Sequence, residues 1–333
     1  MATGYLYDAK GHDREVDLAE VDLGRLDDNH LLWVNIDRSR GGELDPVVAQ
    51  FELDGSSLRR IGRDHVRPRI DNYGSYFQFT VYAEPLAAAV KQHGAPDRRS
   101  YGVGAVKLDI LVGDRWIITV HDEPVKFLED YRAQDKAETL LGTMSAQALT
   151  ASLLDWHLES YFDAVAELEG QVDHHEEQVL LKPNGGLALG RMTALKRQAS
   201  RLRALLVSQR PVFYGLARPD FTRVADDAAS AHYATLVSRF ERAVDEVEHL
   251  HDMVVGSFEL FSSRTTLDTN ELVKALTFLT VVIGLCAAVA GIFGMNFEAA
   301  ILRTGDRGFH GIVIAQGVAL LAAAAYVRWK RWL

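Results

Sequence analysis

Ala275-Leu-Thr-Phe-Leu-Thr-Val-Val-Ile-Gly-Leu-Cys-Ala-Ala-Val-Ala-Gly-Ile-Phe293 runs for nineteen residues without a charge. A helix of that length crosses about 30 Å of hydrocarbon, so the stretch reads as a transmembrane span. A second uncharged run, residues 309–327, is interrupted only by His310 and Gln316 and stops at Arg328-Trp329-Lys330-Arg331-Trp332. Tryptophan beside basic residues suits the headgroup boundary. The fifteen residues between the runs, 294–308, are too few for a domain and form an outer loop. Two spans place both ends of the chain on one side. Arg264, Lys274, Arg328, Lys330 and Arg331 outnumber Arg303 and Arg307, so that side is expected to be cytoplasmic. The expected location is the cell membrane, inner or plasma, with both termini in the cytoplasm.

Working outward, the remaining chain is soluble in character. The 333 residues carry a net charge of −10, but the last seventy hold seven Lys or Arg against four acids. The first 263 residues are therefore at −13, which disfavours nucleic acid as a partner and suits cations. One cysteine, Cys286, excludes a disulfide framework and a cysteine-rich zinc site. The first twenty residues are polar and lack the apolar core of a signal peptide. Residues 1–140 read as a mixed α/β domain. Residues 30–36 and 76–82 are aromatic and β-branched, residues 46–53 suit a short helix, and residues 105–112 and 115–120 form a hairpin about Gly113-Asp114.

From residue 144 the period becomes helical. A first helix carries Leu149, Leu153, Trp156, Tyr161 and Val172 on one face and ends at Lys182-Pro183-Asn184-Gly185-Gly186; a second covers 187–209 and is halted by Pro211. A third has Tyr233, Leu236, Phe240, Val247, Leu250 and Val254 on one face, and nothing but Gly256 weakens it before the first span. One helix of about 100 Å could thus run over 228–293 and couple soluble events mechanically to the membrane. The expected division is 1–140, a helical stalk over 141–271, and a membrane hairpin over 272–333.

Signatures of catalysis are missing: no phosphate loop, no His-Glu-x-x-His, no Gly-x-Ser-x-Gly. Asp173-His174-His175-Glu176-Glu177 has metal-binding residue types, but helix neighbours diverge and such runs are usually solvated faces. His249 and His251 fall on different faces, and His121-Asp122-Glu123 before Pro124 reads as a turn. Val273, Leu276, Thr280, Gly284, Ala287 and Gly291 share one face of the first span; small residues there suit close helix packing, and periodicity alone favours packing while leaving pore lining open.

Just past that span stands Gly294-Met295-Asn296-Phe297-Glu298, with Asn270-Glu-Leu-Val-Lys-Ala-Leu-Thr277 at its inner end. These motifs, with a short return span ending in Arg-Trp-Lys-Arg-Trp-Leu, resemble the CorA magnesium transporter family. The resemblance implies an α+β cytosolic domain, a long-helix stalk and two carboxyl-terminal spans, assembled as a homopentameric funnel. It implies no enzyme activity and no prosthetic group, with divalent cations, the lipid bilayer and further copies of the chain as partners. Its cargo would be Mg²⁺, with Co²⁺ or Ni²⁺ beside it, taken up passively. Gly294, Met295 and Asn296 would form the selectivity filter. Five Asn296 amides would contact the hydrated ion, Gly294 permitting the turn that presents them and Met295 packing beneath; taken alone, Asn296 also suits a helix cap.

By residue match, Asn270 is the polar pore position near the cytosol, and Val273 and Leu276 the hydrophobic constriction. Thr280, Gly284, Ala287 and Gly291 would line the rest. Gly284, Leu285 and Ala287 replace the Met, Pro and Thr common in the family, the Met-Pro-Glu after the filter is absent, and the usual regulatory aspartate aligns with Thr235. Asp226, Asp227, Asp245 and Asp252 are the carboxylates available for a regulatory Mg²⁺ between subunits. Two alternatives accompany this reading: the proton-coupled, zinc-transporting branch of the same superfamily, and a membrane-tethered sensor or enzyme.

Overall fold

The computed structural model of the chain describes residues 2–41, 44–64, 66–83, 105–134, 141–181, 185–218, 227–294 and 305–330. Among the described residues seven strands make one sheet: β1 (Ala2–Asp8), β2 (Arg14–Val16), β3 (His30–Asp37), β4 (Ile70–Asn72), β5 (Phe77–Ala83), β6 (Val106–Val112) and β7 (Trp116–His121), in the order β2-β1-β3-β7-β6-β5-β4. Every neighbouring pair is antiparallel except β3 and β7, which run parallel with Leu32 opposite Trp116 and Asp37 opposite His121.

The central strands are covered on both faces, which explains why their sequences are apolar runs and not clean alternations. Leu32, Val34 and Ile36 of β3 face Val47, Phe51 and Ile61, contributed by α1 (Asp45–Gln50), the turn after it and α2 (Gly55–Ile61). On the other face Trp33 meets Tyr131 of α3 (Lys126–Gln134) with ring centroids 5.9 Å apart, and Tyr131 meets Trp156 of α4 (Ala146–Leu181) at 5.8 Å. Trp33 Nε1 donates to Thr119 Oγ1 at 3.0 Å, so the buried indole is satisfied across the parallel pair.

After α4 come α5 (Gly185–Ser208), α6 (Arg210–Leu216), α7 (Asp227–Gly294) and α8 (Gly305–Trp329). Two compact units result: residues 1–183 with 190–255, and residues 184–189 with 256–333. In the first, α7 lies against α4 and α6, with Phe240 stacked on Phe213 at 4.4 Å and Arg239 paired to Asp155 at 2.9 Å and to Glu159. Gln209 ties this layer to the sheet: Nε2 donates to Tyr161 Oη at 2.9 Å and to the Tyr82 carbonyl at 3.3 Å, while Oε1 meets His157 Nε2 at 2.8 Å.

Several local expectations need adjustment. The apolar signal over 46–53 resolves into α1 followed by a turn, and α2 was not anticipated because Asp54, whose carboxylate accepts from the Ser56 N–H at 2.7 Å, is its only strong start signal. Pro211 does not merely halt a helix; it occupies the first turn of α6, where a missing N–H is no loss. In the β6–β7 hairpin Gly113 N donates to the Trp116 carbonyl at 2.9 Å, so the turn is centred one residue later, on Asp114-Arg115. Edge strands β2 and β4, three residues each, and β1 beside β2 carry little period-two pattern in sequence.

Candidate functional site

Within the second unit the apolar run is the end of α7, which is one uninterrupted helix of 68 residues. Return helix α8 packs along one stripe of it. Ala275 of α7 and Ala323 and Val327 of α8 are buried, Phe278 and Tyr326 bring their rings to 5.5 Å, and Gln316 Nε2 donates to the Cys286 carbonyl at 2.9 Å. Alanines allow the close approach, and the amide bridges two helices in a setting that offers no water. In sequence Gln316 only interrupts the apolar run, yet a lone amide in an apolar span is itself a signal of a polar helix-to-helix link.

At 100° per residue, Ala275, Val282 and Cys286 point one way and Val273, Thr280, Gly284 and Gly291 nearly the opposite way. Burial follows that geometry. Ala275 is 4% exposed, whereas Leu276 is 65% and Val273 53% exposed, and Asn270, Thr280, Gly284, Ala287 and Gly291 are exposed as well. All seven candidate lining residues therefore lie uncovered on one side of α7, and the packing face is the other side. The two threonines keep their hydroxyls satisfied on their own helix, Thr277 donating to the Val273 carbonyl and Thr280 to that of Leu276, both at 2.8 Å. Lys274 pairs with Glu271 at 2.8 Å where the run begins.

Gly294 is the last residue of α7 and is helical; it is not among the glycines with positive φ. Met295 and Asn296 lie outside the described residues, as does Asp226. Asp227 opens α7, and Asp245 and Asp252, seven residues apart, are exposed on one stripe of it. Thr235 is exposed, with its hydroxyl on the Ala231 carbonyl at 3.1 Å. Among the described residues no group of three or more His, Cys, Asp or Glu comes close enough to hold a metal ion within one chain.

The soluble histidines settle into ordinary roles. His174 and His175 stand side by side with ring centroids 6.4 Å apart, and His251 Nδ1 lies 3.4 Å from Ser200 Oγ. His121 is buried between Asn35 Oδ1 at 3.0 Å and the Glu123 carbonyl at 2.8 Å, and burial holds its pKa below the usual histidine range. Its neighbour Asp122 pairs with Arg38 at 3.1 Å, so the segment does close a turn.

The chain thus carries a sheet domain followed in sequence by two helices long and apolar enough to cross a membrane, packed as an antiparallel pair. Residues 28–331 match the family model described as CorA-like Mg²⁺ transporter protein. The chain belongs to this family. The Cobalt/magnesium transport protein CorA of Thermotoga maritima is 28% identical over 303 residues, covering 90% of this chain and 83% of the relative. The complete structure of the CorA magnesium transporter from Methanocaldococcus jannaschii superposes with a TM-score of 0.76 at 17% identity, covering 100% of this chain and 99% of that one. The ZntB cytoplasmic domain from Vibrio parahaemolyticus shares the fold at a TM-score of 0.59 and 11% identity, over 81% of this chain and 98% of that domain. CorA proteins are membrane-inserted divalent cation transporters and not enzymes, and α7 and α8 are the helices that fit the membrane part.

Proposed function

We propose that this CorA-family chain assembles as a homopentamer in which the uncovered side of α7 lines a passive pathway for hydrated Mg²⁺, with Co²⁺ and Ni²⁺ as further cargo. The supporting observation is the opposition of faces on α7: the hairpin partner takes the Ala275–Cys286 side and leaves Asn270, Val273, Leu276, Thr280, Gly284, Ala287 and Gly291 open. Two helices cannot enclose a channel, so the open side is available to line one in a ring of copies. The Thermotoga relative's name carries two of these three metals, magnesium and cobalt.

In this reading Asn296, two residues past the end of α7, supplies a ring of amide oxygens at the outer mouth, above Met295. Mg²⁺ releases its water reluctantly and prefers oxygen ligands, so contact through the hydration shell selects it without stripping it. Towards the other end Val273 and Leu276 form an apolar narrowing that closes by dewetting, and Gly284, Ala287 and Gly291 keep the outer half wide. Both termini are on the cytoplasmic side. Asp226, Asp227, Asp245 and Asp252 are the carboxylates through which a second copy could share a regulatory Mg²⁺.

The test is entry of Mg²⁺, Co²⁺, Ni²⁺ and Zn²⁺ into liposomes holding equal amounts of wild type and Asn296→Ala. Magnesium flux abolished by the substitution is the expected result. Zinc flux that requires a proton gradient would move the chain to the zinc-transporting branch, and no flux of any divalent ion from verified oligomers would leave a membrane-tethered sensor.

A further inference from the structure

Residues 59–69, Arg-Arg-Ile-Gly-Arg-Asp-His-Val-Arg-Pro-Arg, hold five arginines against one aspartate in a chain whose net charge is −10. The fold gathers these arginines around one cavity of about 500 Å³, walled by α2, the segment leading to β4, and Tyr73. Arg59 lies in the last turn of α2 and Arg63 two residues past its end, while Arg67 and Arg69 come from the segment leading to β4.

The floor is built, not incidental. Arg60 is 5% exposed; its guanidinium pairs with Asp71, donates to the Arg69 carbonyl at 2.8 Å and reaches Thr80 Oγ1 at 3.2 Å. Lys107 Nζ holds the end of α2 by donating to the carbonyls of Arg60, Ile61 and Arg63 at 3.1, 2.8 and 2.7 Å, and is balanced by Asp109 at 2.9 Å. Tyr82 Oη grips Val66 through both its N–H and its carbonyl. Asp71 also takes Arg69 at 3.0 Å, which leaves that carboxylate fully engaged. Arg59, Arg63 and Arg67 are exposed and have no ion-pair partner among the described residues.

Three guanidinium groups that line one cleft without an ion pair among the described residues repel one another unless an anion sits between them, and their planar forks match phosphate oxygens bidentately. We propose that this cleft binds a small polyphosphate, two or three linked phosphoryl groups, either free or carried by a nucleoside. A single phosphate would engage one wall; a linked pair can bridge the Arg59–Arg63 side and the Arg67 side. Tyr73, stacked on Tyr76 with ring centroids 5.0 Å apart, is the wall against which an attached base would lie. This site is separate from the ion pathway and does not depend on which cation the chain carries.

The experiment is calorimetric titration of the purified full-length chain, in low-salt buffer with EDTA, with ADP, pyrophosphate and inorganic phosphate. Pyrophosphate and ADP are expected to bind about tenfold or more tightly than inorganic phosphate, and the double reversal Arg63→Glu with Arg67→Glu to weaken them at least as much. Both side chains are exposed, and unchanged melting temperature and oligomer mass would show that the variant folds. Equal affinities for ADP and pyrophosphate would mean the free polyphosphate suffices, and tighter ADP that the nucleoside is read too; either supports the site. Absence of polyphosphate binding at millimolar concentration, or binding indifferent to the reversal, overturns it. So does a double reversal that dissociates the oligomer of a non-binding protein, since the arginines would then serve contacts between subunits.

Discussion

Gln316 of α8 reaches across the membrane hairpin and donates its side-chain amide to the backbone carbonyl of Cys286 at 2.9 Å. That carbonyl lies inside an otherwise apolar helix, so the bond joins two spans at a point where water cannot substitute. Gln316→Leu should lower the stability of the hairpin by about 0.6–2 kcal/mol, the range of interhelical hydrogen bonds in membranes. Thermal melting of the detergent-solubilised protein checks it, and an unchanged midpoint would mean the bond contributes nothing net.

The opposition of faces on α7 makes a chemical prediction. In a Cys286→Ser background, single cysteines at Thr280 and Ala287 should react readily with a membrane-impermeant thiol reagent in liposome-reconstituted protein. Cys286 in the wild type, facing α8, should react slowly. Equal rates at all three positions would remove the basis for calling the open side a water-filled pathway.

His157 gives a pH dependence. It is fully buried, its Nε2 meets Gln209 Oε1 and its Nδ1 has no partner among the described residues, and desolvation lowers its pKa from 6.5 to about 4. A folded-state pKa below the unfolded one means the unfolded chain takes the proton first. Stability is thus full above about pH 6.5 and declines as the pH falls towards 4, by up to about 1.4 kcal/mol per unit. Unfolding midpoints at pH 7.5, 6 and 5 should fall more steeply for wild type than for His157→Gln.

The membrane hairpin was legible because hydrocarbon demands one long apolar run per span, and nothing in residues 275–293 competes with that reading. The long helix was legible for the related reason that the apolar period continues past Gly256 without a proline. What escaped was decided by tertiary contacts. β1 is a strand because β3 offers it an edge, and β2 because β1 does in turn, not because Arg14-Glu-Val16 prefers to extend. Arg60 looks like any surface arginine in sequence, and only its burial against Asp71 and Thr80 reveals the floor of a cleft. Of the candidate site, the face assignment along α7 was visible from spacing, whereas the bond from Gln316 needed a partner thirty residues away.

Two glycines test close packing in the sheet domain. A Cβ on Gly142 would stand 2.3 Å from the backbone carbon of Asp8, and one on Gly113 would stand 2.2 Å from the Trp116 ring. Overpacking of this kind destabilises by about 1–3 kcal/mol, and backbone yields less readily than a side chain. Gly142→Ala should therefore be the more damaging of the two in chemical denaturation, and the reverse order would mean that the indole is the more rigid obstacle.

The parallel pairing of β3 with β7 has a consequence for biogenesis. The strands that meet at the middle of the sheet are separated by nearly eighty residues, so the sheet closes only when His121 has been made. Ala275 follows about 150 residues later. At translation rates of about 5–20 residues per second, the sheet has roughly 8–30 s to close before the first apolar span is synthesised. A ribosome can thus deliver a finished sheet to the membrane, its central strands already hidden when the insertion machinery begins to sort hydrophobic chain.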